Sequence, residues 1–140
     1  NISIAVGSAD VKEIDGFNIL NASFLAMERA LVLLQEKLIY KINTILIDGN
    51  RRPEFKKFDK KINILPIVKG DNISLSIAVA SVMAKQKRDC YMRNLHSCHP
   101  EYGFNKHKGY GTKAHRAALA EFGPTCHHRT SFAPVKSLLF

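Results

Sequence analysis

An apolar run that stops on an acid constrains this chain more than any other feature: Ile45-Leu46-Ile47-Asp48-Gly49-Asn50. A short aliphatic, β-branched run reads as a buried strand, and the Asp-Gly pair that ends it puts a carboxylate at the rim of a sheet with a turn leading away. A second acid, Asp71 in Lys69-Gly70-Asp71, stands just before Leu75 to Ala84, an apolar segment that reads as a buried helix. Hard divalent cations such as Mg²⁺ and Mn²⁺ prefer carboxylate oxygens, and a pair of them can hold the attacking and leaving oxygens of a phosphodiester. Two acids are too few for a complete site of that kind, and as isolated surface acids they would be unremarkable.

The charge distribution names the kind of partner. Residues 1–50 carry 4 basic and 6 acidic residues, 51–101 carry 11 and 5, and 102–140 carry 6 and 1. The excess of +9 therefore lies wholly in the later part of the chain, which points to a polyanion met there; the bland alternative is a soluble basic surface. At 140 residues and 46% hydrophobic content the chain can bury a core as one domain, which excludes a disordered tail. Three cysteines, Cys90, Cys98 and Cys126, form no disulfide-framework spacing, so a reduced cytoplasmic setting is expected. No leader pattern and no apolar run near membrane-span length is read, so no membrane partner is expected.

In order, residues 2–6 alternate and predict an edge strand. Asp10 and Glu13 have capping-box spacing. After Gly16 the apolar positions Ile19, Leu20, Phe24, Met27, Ala30, Leu31 and Leu34 predict an amphipathic helix to about Leu38, with Glu28 and Arg29 on its wet side. Strands are expected at 42–48 and 62–68. Between them, Arg51 to Lys61 is a polar loop with six basic residues, either a solvated tip or a nucleic-acid contact. A helix is expected from Ser74 to about Leu95, with Lys87 a cation placed favourably near its C-terminal end and Cys90 a small core residue. Thr112 is set to cap a further helix, Lys113 to Phe122, ended by Gly123-Pro124.

Two further groups of residues carry chemistry. Cys90, His96, Cys98, His99, Cys126, His127 and His128 include soft zinc ligands, though without a Cys-x-x-Cys pair or knuckle spacing. In His107-Lys108-Gly109-Tyr110-Gly111-Thr112, glycines flank Tyr110 and free the backbone to present its ring, which either stacks on a sugar or base or packs inward under its loop.

Glu13-Ile14-Asp15 with Asn18-Ile19-Leu20, Leu46-Ile47-Asp48-Gly49-Asn50, Val68-Lys69-Gly70-Asp71, the run Ser76 to Lys85 with Arg88-Asp89, Tyr102-Gly103-Phe104, His107 to Thr112 and His128 to Val135 together resemble ribonuclease HII, the type 2 ribonuclease H, in the family's order and over nearly the whole chain. The resemblance implies a ribonuclease H-like α/β fold: a mixed sheet flanked by helices over about residues 1–100, with a C-terminal helical, substrate-binding extension over about 101–140. It implies two-metal-ion hydrolysis, with Mn²⁺ or Mg²⁺, of RNA in RNA–DNA hybrids and of DNA 5′ to an embedded ribonucleotide. Asp48 and Asp71 match the third and fourth of the family's four carboxylates, and Tyr110 matches its junction-stacking tyrosine. Lys85, Arg88 and Arg129 sit in matching motifs as phosphate contacts or site support. The family's opening Asp-Glu strand and Gly-Arg-Gly loop have no counterpart here. The resemblance therefore implies a monomer for the whole enzyme but an incomplete, N-terminally truncated chain here, expected to be inactive alone and to associate through unpaired strand edges. The alternative is a non-catalytic basic nucleic-acid-binding module.

Overall fold

Five helices and two strands form along the chain in the computed structural model, which describes residues 2–59 and 61–139. They are α1 (Val11–Lys37), β1 (Thr44–Asp48), β2 (Asn63–Ile67), α2 (Leu75–Cys98), α3 (Phe104–His107), α4 (Lys113–Phe122) and α5 (Val135–Leu139), with single 3₁₀ turns at Gly70–Asn72 and Pro100–Tyr102. The architecture is α/β: a small parallel sheet and helices. The described residues of 2–9 with 19–84 form one compact unit and those of 10–18 with 85–139 a second. The chain changes unit inside α1 at Asn18, whose φ of 66° and ψ of 166° interrupt the helix, and inside α2 after Ala84.

The first unit is built on the β1–β2 pair, in register from Thr44 opposite Asn63 to Asp48 opposite Ile67. Alternation buries Ile45, Ile47 and Ile64 on one face with Phe55 and Ile62, and Leu31 of α1, Ile42 and Phe58 pack against that cluster. On the other face Leu46 and Leu65 stay 38% and 41% exposed. The 51–61 segment is more than a solvated tip, because Pro53 and Phe55 are buried and Phe55 meets Phe58 edge-on at 6.3 Å. Its charges Arg51, Arg52, Lys56, Lys57 and Lys61 point outward.

Several expectations need correction. Residues 2–10 form no strand. A strand needs a neighbour's ladder, and here the segment's carbonyls are taken instead by α1 side chains: Arg29 Nη1 donates to Ser8 O at 2.7 Å and Lys37 Nζ to Ile4 O at 2.9 Å. Gly7 lets the segment lie on the helix backbone, since a Cβ there would stand 2.0 Å from Ala26 O. Glu28 is buried rather than wet, because its Oε1 accepts the Lys57 backbone N–H at 2.6 Å. The first turns of α2 are not a buried helix: Ile77 is buried, while Leu75 and Val82 are 79% and 59% exposed. Cys90 is exposed, not a core residue. Finally, α1 is long and apolar enough to cross a membrane, where no apolar run of that length was expected; in this fold Ala22 and Glu28 are buried and Leu31 packs against the cluster on the sheet.

The second unit packs Met92, Leu95, Tyr102, Phe104, Ala118, Leu119 and Val135 into one cluster. Its helix starts are as expected. Asp10 and Glu13 exchange backbone N–H bonds at 2.8 and 2.9 Å, and Thr112 Oγ1 accepts the His115 N–H at 3.2 Å. Gly123, at φ 75°, ends α4 with its N–H on Leu119 O.

Candidate active site

Asp48 closes β1, and Gly49 beside it takes φ 108°, a conformation open to glycine, while its N–H still reaches Ile67 O at 2.9 Å. The chain returns along β2 and turns through Lys69, in the left-handed region at φ 55°, into the 3₁₀ turn that carries Asp71. Gly70 N–H donates to Asp48 Oδ1 at 2.8 Å. That bond ties the first predicted metal ligand to the turn bearing the second. Both acids are exposed.

Gly70 is buried for a steric reason. A Cβ there would meet Ile77 Cδ1 at 2.6 Å, Ile67 Cβ at 3.3 Å and Asp48 Oδ1 at 3.5 Å. Ile77 Cδ1 ends a flexible side chain and can move aside for one methyl group; Ile67 Cβ cannot. Gly70→Val is therefore expected to cost about 1–3 kcal/mol by overpacking and Gly70→Ala less, read by urea unfolding of the first unit. A valine variant as stable as the parent would show that the turn has more room than this geometry allows.

Carboxylate oxygens suit Mg²⁺ or Mn²⁺, and Asp48 keeps lone pairs beyond the one given to Gly70. The number of donors is the shortfall. Among the described residues no group of three or more His, Cys, Asp or Glu side chains could hold a metal ion. Glu13 is taken by the capping box. Asp15, in the second unit, accepts Thr130 N–H at 2.7 Å, Thr130 Oγ1–H at 2.8 Å and Ser131 Oγ–H at 2.5 Å, with Arg129 Nε at 3.8 Å. Partial burial works against its charge, but the hydroxyl and amide bonds from Ser131 and Thr130 outweigh that and hold the carboxyl below its ordinary range. This aspartate is a latch for the 129–131 segment.

The remaining predicted contacts lie in the second unit. Tyr110 is 63% exposed, so of the two readings of its ring the inward-packed one is excluded. Lys85 Nζ stands 5.8 Å from the ring centroid and 2.9 Å from Asp89 Oδ1, whose carboxyl Lys85 keeps below the usual range. Arg88 Nη2 donates to Lys108 O at 3.3 Å, and the Arg129 guanidinium lies 4.9 Å over Phe132. Lys85 and Arg88 thus brace the loop that presents Tyr110.

The sequence reading missed the histidines beneath that loop. His107, His115 and His128 are buried against Tyr102 and Phe104, with the His107 and His115 rings stacked at 4.3 Å and 13°. Both nitrogens of His128 are engaged, by Thr125 and His115, which leaves no lone pair for zinc, and all three cysteines are exposed and free. His115 stands three and four residues before Ala118 and Leu119 in α4, the helical spacing that signals its inward face; His128 stands in the sequence both among the soft ligands and at the head of the His128 to Val135 block.

The sequence model of the ribonuclease HII family matches residues 3–135. This chain belongs to the ribonuclease HII family. It is 48% identical to a ribonuclease HII of Wolbachia sp. subsp. Drosophila simulans (strain wRi) over 99% of this chain and 67% of that protein. It is 49% identical to one from Ehrlichia canis (strain Jake), over 96% of this chain and 60% of the relative, and 47% identical to one from Chlamydia muridarum, over 96% and 58%. The chain thus spans about three-fifths to two-thirds of the length of these relatives.

Proposed function

We propose that this chain supplies part of an endonuclease that hydrolyses RNA in RNA–DNA hybrids and cuts DNA 5′ to an embedded ribonucleotide, leaving a 3′-hydroxyl and a 5′-phosphate. The observation that carries the reading is the bond from Gly70 to Asp48, which joins two acids on one strand end and the turn after the next, in a chain of this family. Asp48 and Asp71 would hold Mg²⁺ or Mn²⁺, whose chemistry is to offset charge on the phosphate undergoing attack. The chain's own contribution is positional: Gly70 fixes the Asp48 carboxylate, the 129–131 segment is pinned by Asp15, and Tyr110 offers an open ring to the sugar at an RNA–DNA junction. Residues from about 101 onward form the substrate-binding extension in this reading. Three exposed free cysteines accord with a reduced, cytoplasmic setting.

The test is incision of a labelled duplex carrying one ribonucleotide, in Mn²⁺ or Mg²⁺. The 140-residue chain alone is expected to leave it intact. Adding a polypeptide with the family's Asp-Glu strand should restore cutting, and Asp48→Asn should then remove more than the roughly 10–100-fold typical of an outer-shell loss. Cleavage by the chain alone would overturn its incompleteness. The outward charges of the 51–61 loop favour a second reading, a binding module, which predicts salt-sensitive hybrid binding and no incision even after supplementation.

A further inference from the structure

Fixed backbone partners determine where the protons sit in the buried histidine cluster. The Thr125 N–H points at His128 Nδ1 at 3.0 Å, and the Thr125 hydroxyl, which can turn to donate, stands 2.9 Å from the same nitrogen; the amide can only donate, so Nδ1 is an acceptor and the ring's hydrogen is on Nε2. His128 Nε2 lies 3.2 Å from His115 Nε2, which must then accept. His115 consequently carries its hydrogen on Nδ1, and Nδ1 is 3.0 Å from the carbonyl oxygen of Tyr110, which can only accept. Every link agrees with its neighbours. His107 adds a second hold on the same loop, with Nε2 donating to Tyr102 O at 2.7 Å and Nδ1 accepting the Gly109 N–H at 3.2 Å.

We propose that His115 and His128 are positioning residues: a directional hydrogen-bond relay, Thr125 N–H to His128 to His115 to the Tyr110 carbonyl, fixes the backbone that presents the Tyr110 ring to substrate. The chain of donors runs one way and ends on the residue whose ring is exposed. Protonating either ring puts two N–H groups face to face, at Thr125 or between the imidazoles, so the relay exists only with both rings neutral. Burial and the neighbouring histidines push both rings toward that neutral form. The substrate role of the ring rests on the proposed ribonuclease reading; the relay itself does not.

The full 140-residue chain provides the test. Ring nitrogen NMR at pH 7 should show His115 with hydrogen on Nδ1 and His128 with hydrogen on Nε2; the reverse assignment for either ring, or a charged ring, overturns the relay without any substitution. The Tyr110 carbonyl accepts the Thr112 N–H at 2.8 Å as well as the His115 ring; asparagine places an amide donor where Nδ1 stands and glutamine does not, so His115→Asn should keep the second of these bonds and His115→Gln should lose it, read from the Tyr110 carbonyl carbon shift and exchange at the Gly111 and Thr112 amides. Equal effects of the two variants would refute positioning in favour of simple core filling. Affinity for a duplex with one ribonucleotide, without cleavage, reads the consequence. Tyr110→Ala should weaken it about tenfold, within the range for one lost stacking contact. His115→Gln should weaken it comparably, and His115→Gln added to Tyr110→Ala should weaken it no further. Unchanged affinity in Tyr110→Ala would defeat the substrate reading of that ring while leaving the nitrogen and carbonyl signals to decide the relay.

Discussion

Phe104→Ala is expected to destabilise the second unit by about 3–5 kcal/mol, the range for removing a buried phenyl ring. Phe104 is 2% exposed, its ring stacks on Tyr102 at 5.4 Å and 12°, and it meets His107 and His115 edge-on at 5.8 and 5.5 Å. The ring is thus the floor of the histidine cluster as well as part of the Met92, Leu95 and Leu119 core. Truncation would leave a cavity lined by aromatic faces that cannot collapse, because Tyr102 is held from its far end by Oη donating to Gly123 O at 2.6 Å. Phe104→Leu, which keeps part of the volume, should cost a fraction of this. Urea unfolding followed at residues of the second unit is the appropriate measurement, since two compact units need not melt as one transition. A loss below about 1 kcal/mol would mean that the cluster is not close-packed around this ring.

That floor was only partly legible in the sequence. The Tyr102-Gly103-Phe104 block stood out as part of a resemblance, yet nothing in its spacing says that both rings turn inward. Local signals were read well because local physics decides them: the Asp10–Glu13 box, the Thr112 cap and the Gly123 stop each depend on residues within a few positions. The strand run to Asp48 and its companion at 63–67 were legible because a short, β-branched apolar run that stops at Asp48-Gly49 or Lys69-Gly70 leaves little choice. Misreadings arose where a distant partner decides. Residues 2–6 alternate like a strand but spend their carbonyls on Arg29 and Lys37; Glu28 looks solvent-facing until Lys57 brings it an amide. The apolar first turns of α2 read as buried, but Leu75 and Val82 are exposed.

The candidate site divides in the same way. Asp48 and Asp71 could be named from two short motifs, whereas the Gly70 N–H that connects them is a backbone group with no sequence signature beyond the absence of a side chain. Tyr110 could be named from its flanking glycines. The residues that hold it, Arg88 on Lys108 O and His115 on Tyr110 O, contact main chain, so their identities reveal nothing of the contact until the fold sets the distance.

Acid should loosen the second unit in two separable steps. His128 is held down to about 4 from an ordinary 6.5 by burial and by His115 and His127, and His115 is lowered by burial and by His107. Between those values the unfolded chain binds protons that the folded cluster refuses, so stability falls as pH drops through about 6.5 to 4, and His128 alone contributes on the order of 2–3 kcal/mol to that fall. His107, His99, His127 and Tyr102 also line the cluster, and the Glu101 carboxylate beside them is placed on His99, 3.5 Å from its Nδ1. Asp15 acts in a lower window. Its carboxyl is depressed by Ser131 and Thr130, so its contribution is complete above the unfolded value near 3.8 and is lost only as pH falls below that. Unfolding free energies of the parent from pH 8 to 3 should slope first across the histidine window and again below it. His128→Gln should flatten the first slope and leave the second, and Asp15→Asn should do the reverse. A parent profile flat between pH 7 and 5 would show that these rings gain protons in the folded chain as readily as in the unfolded one, and a relay that requires both rings neutral would fall with it.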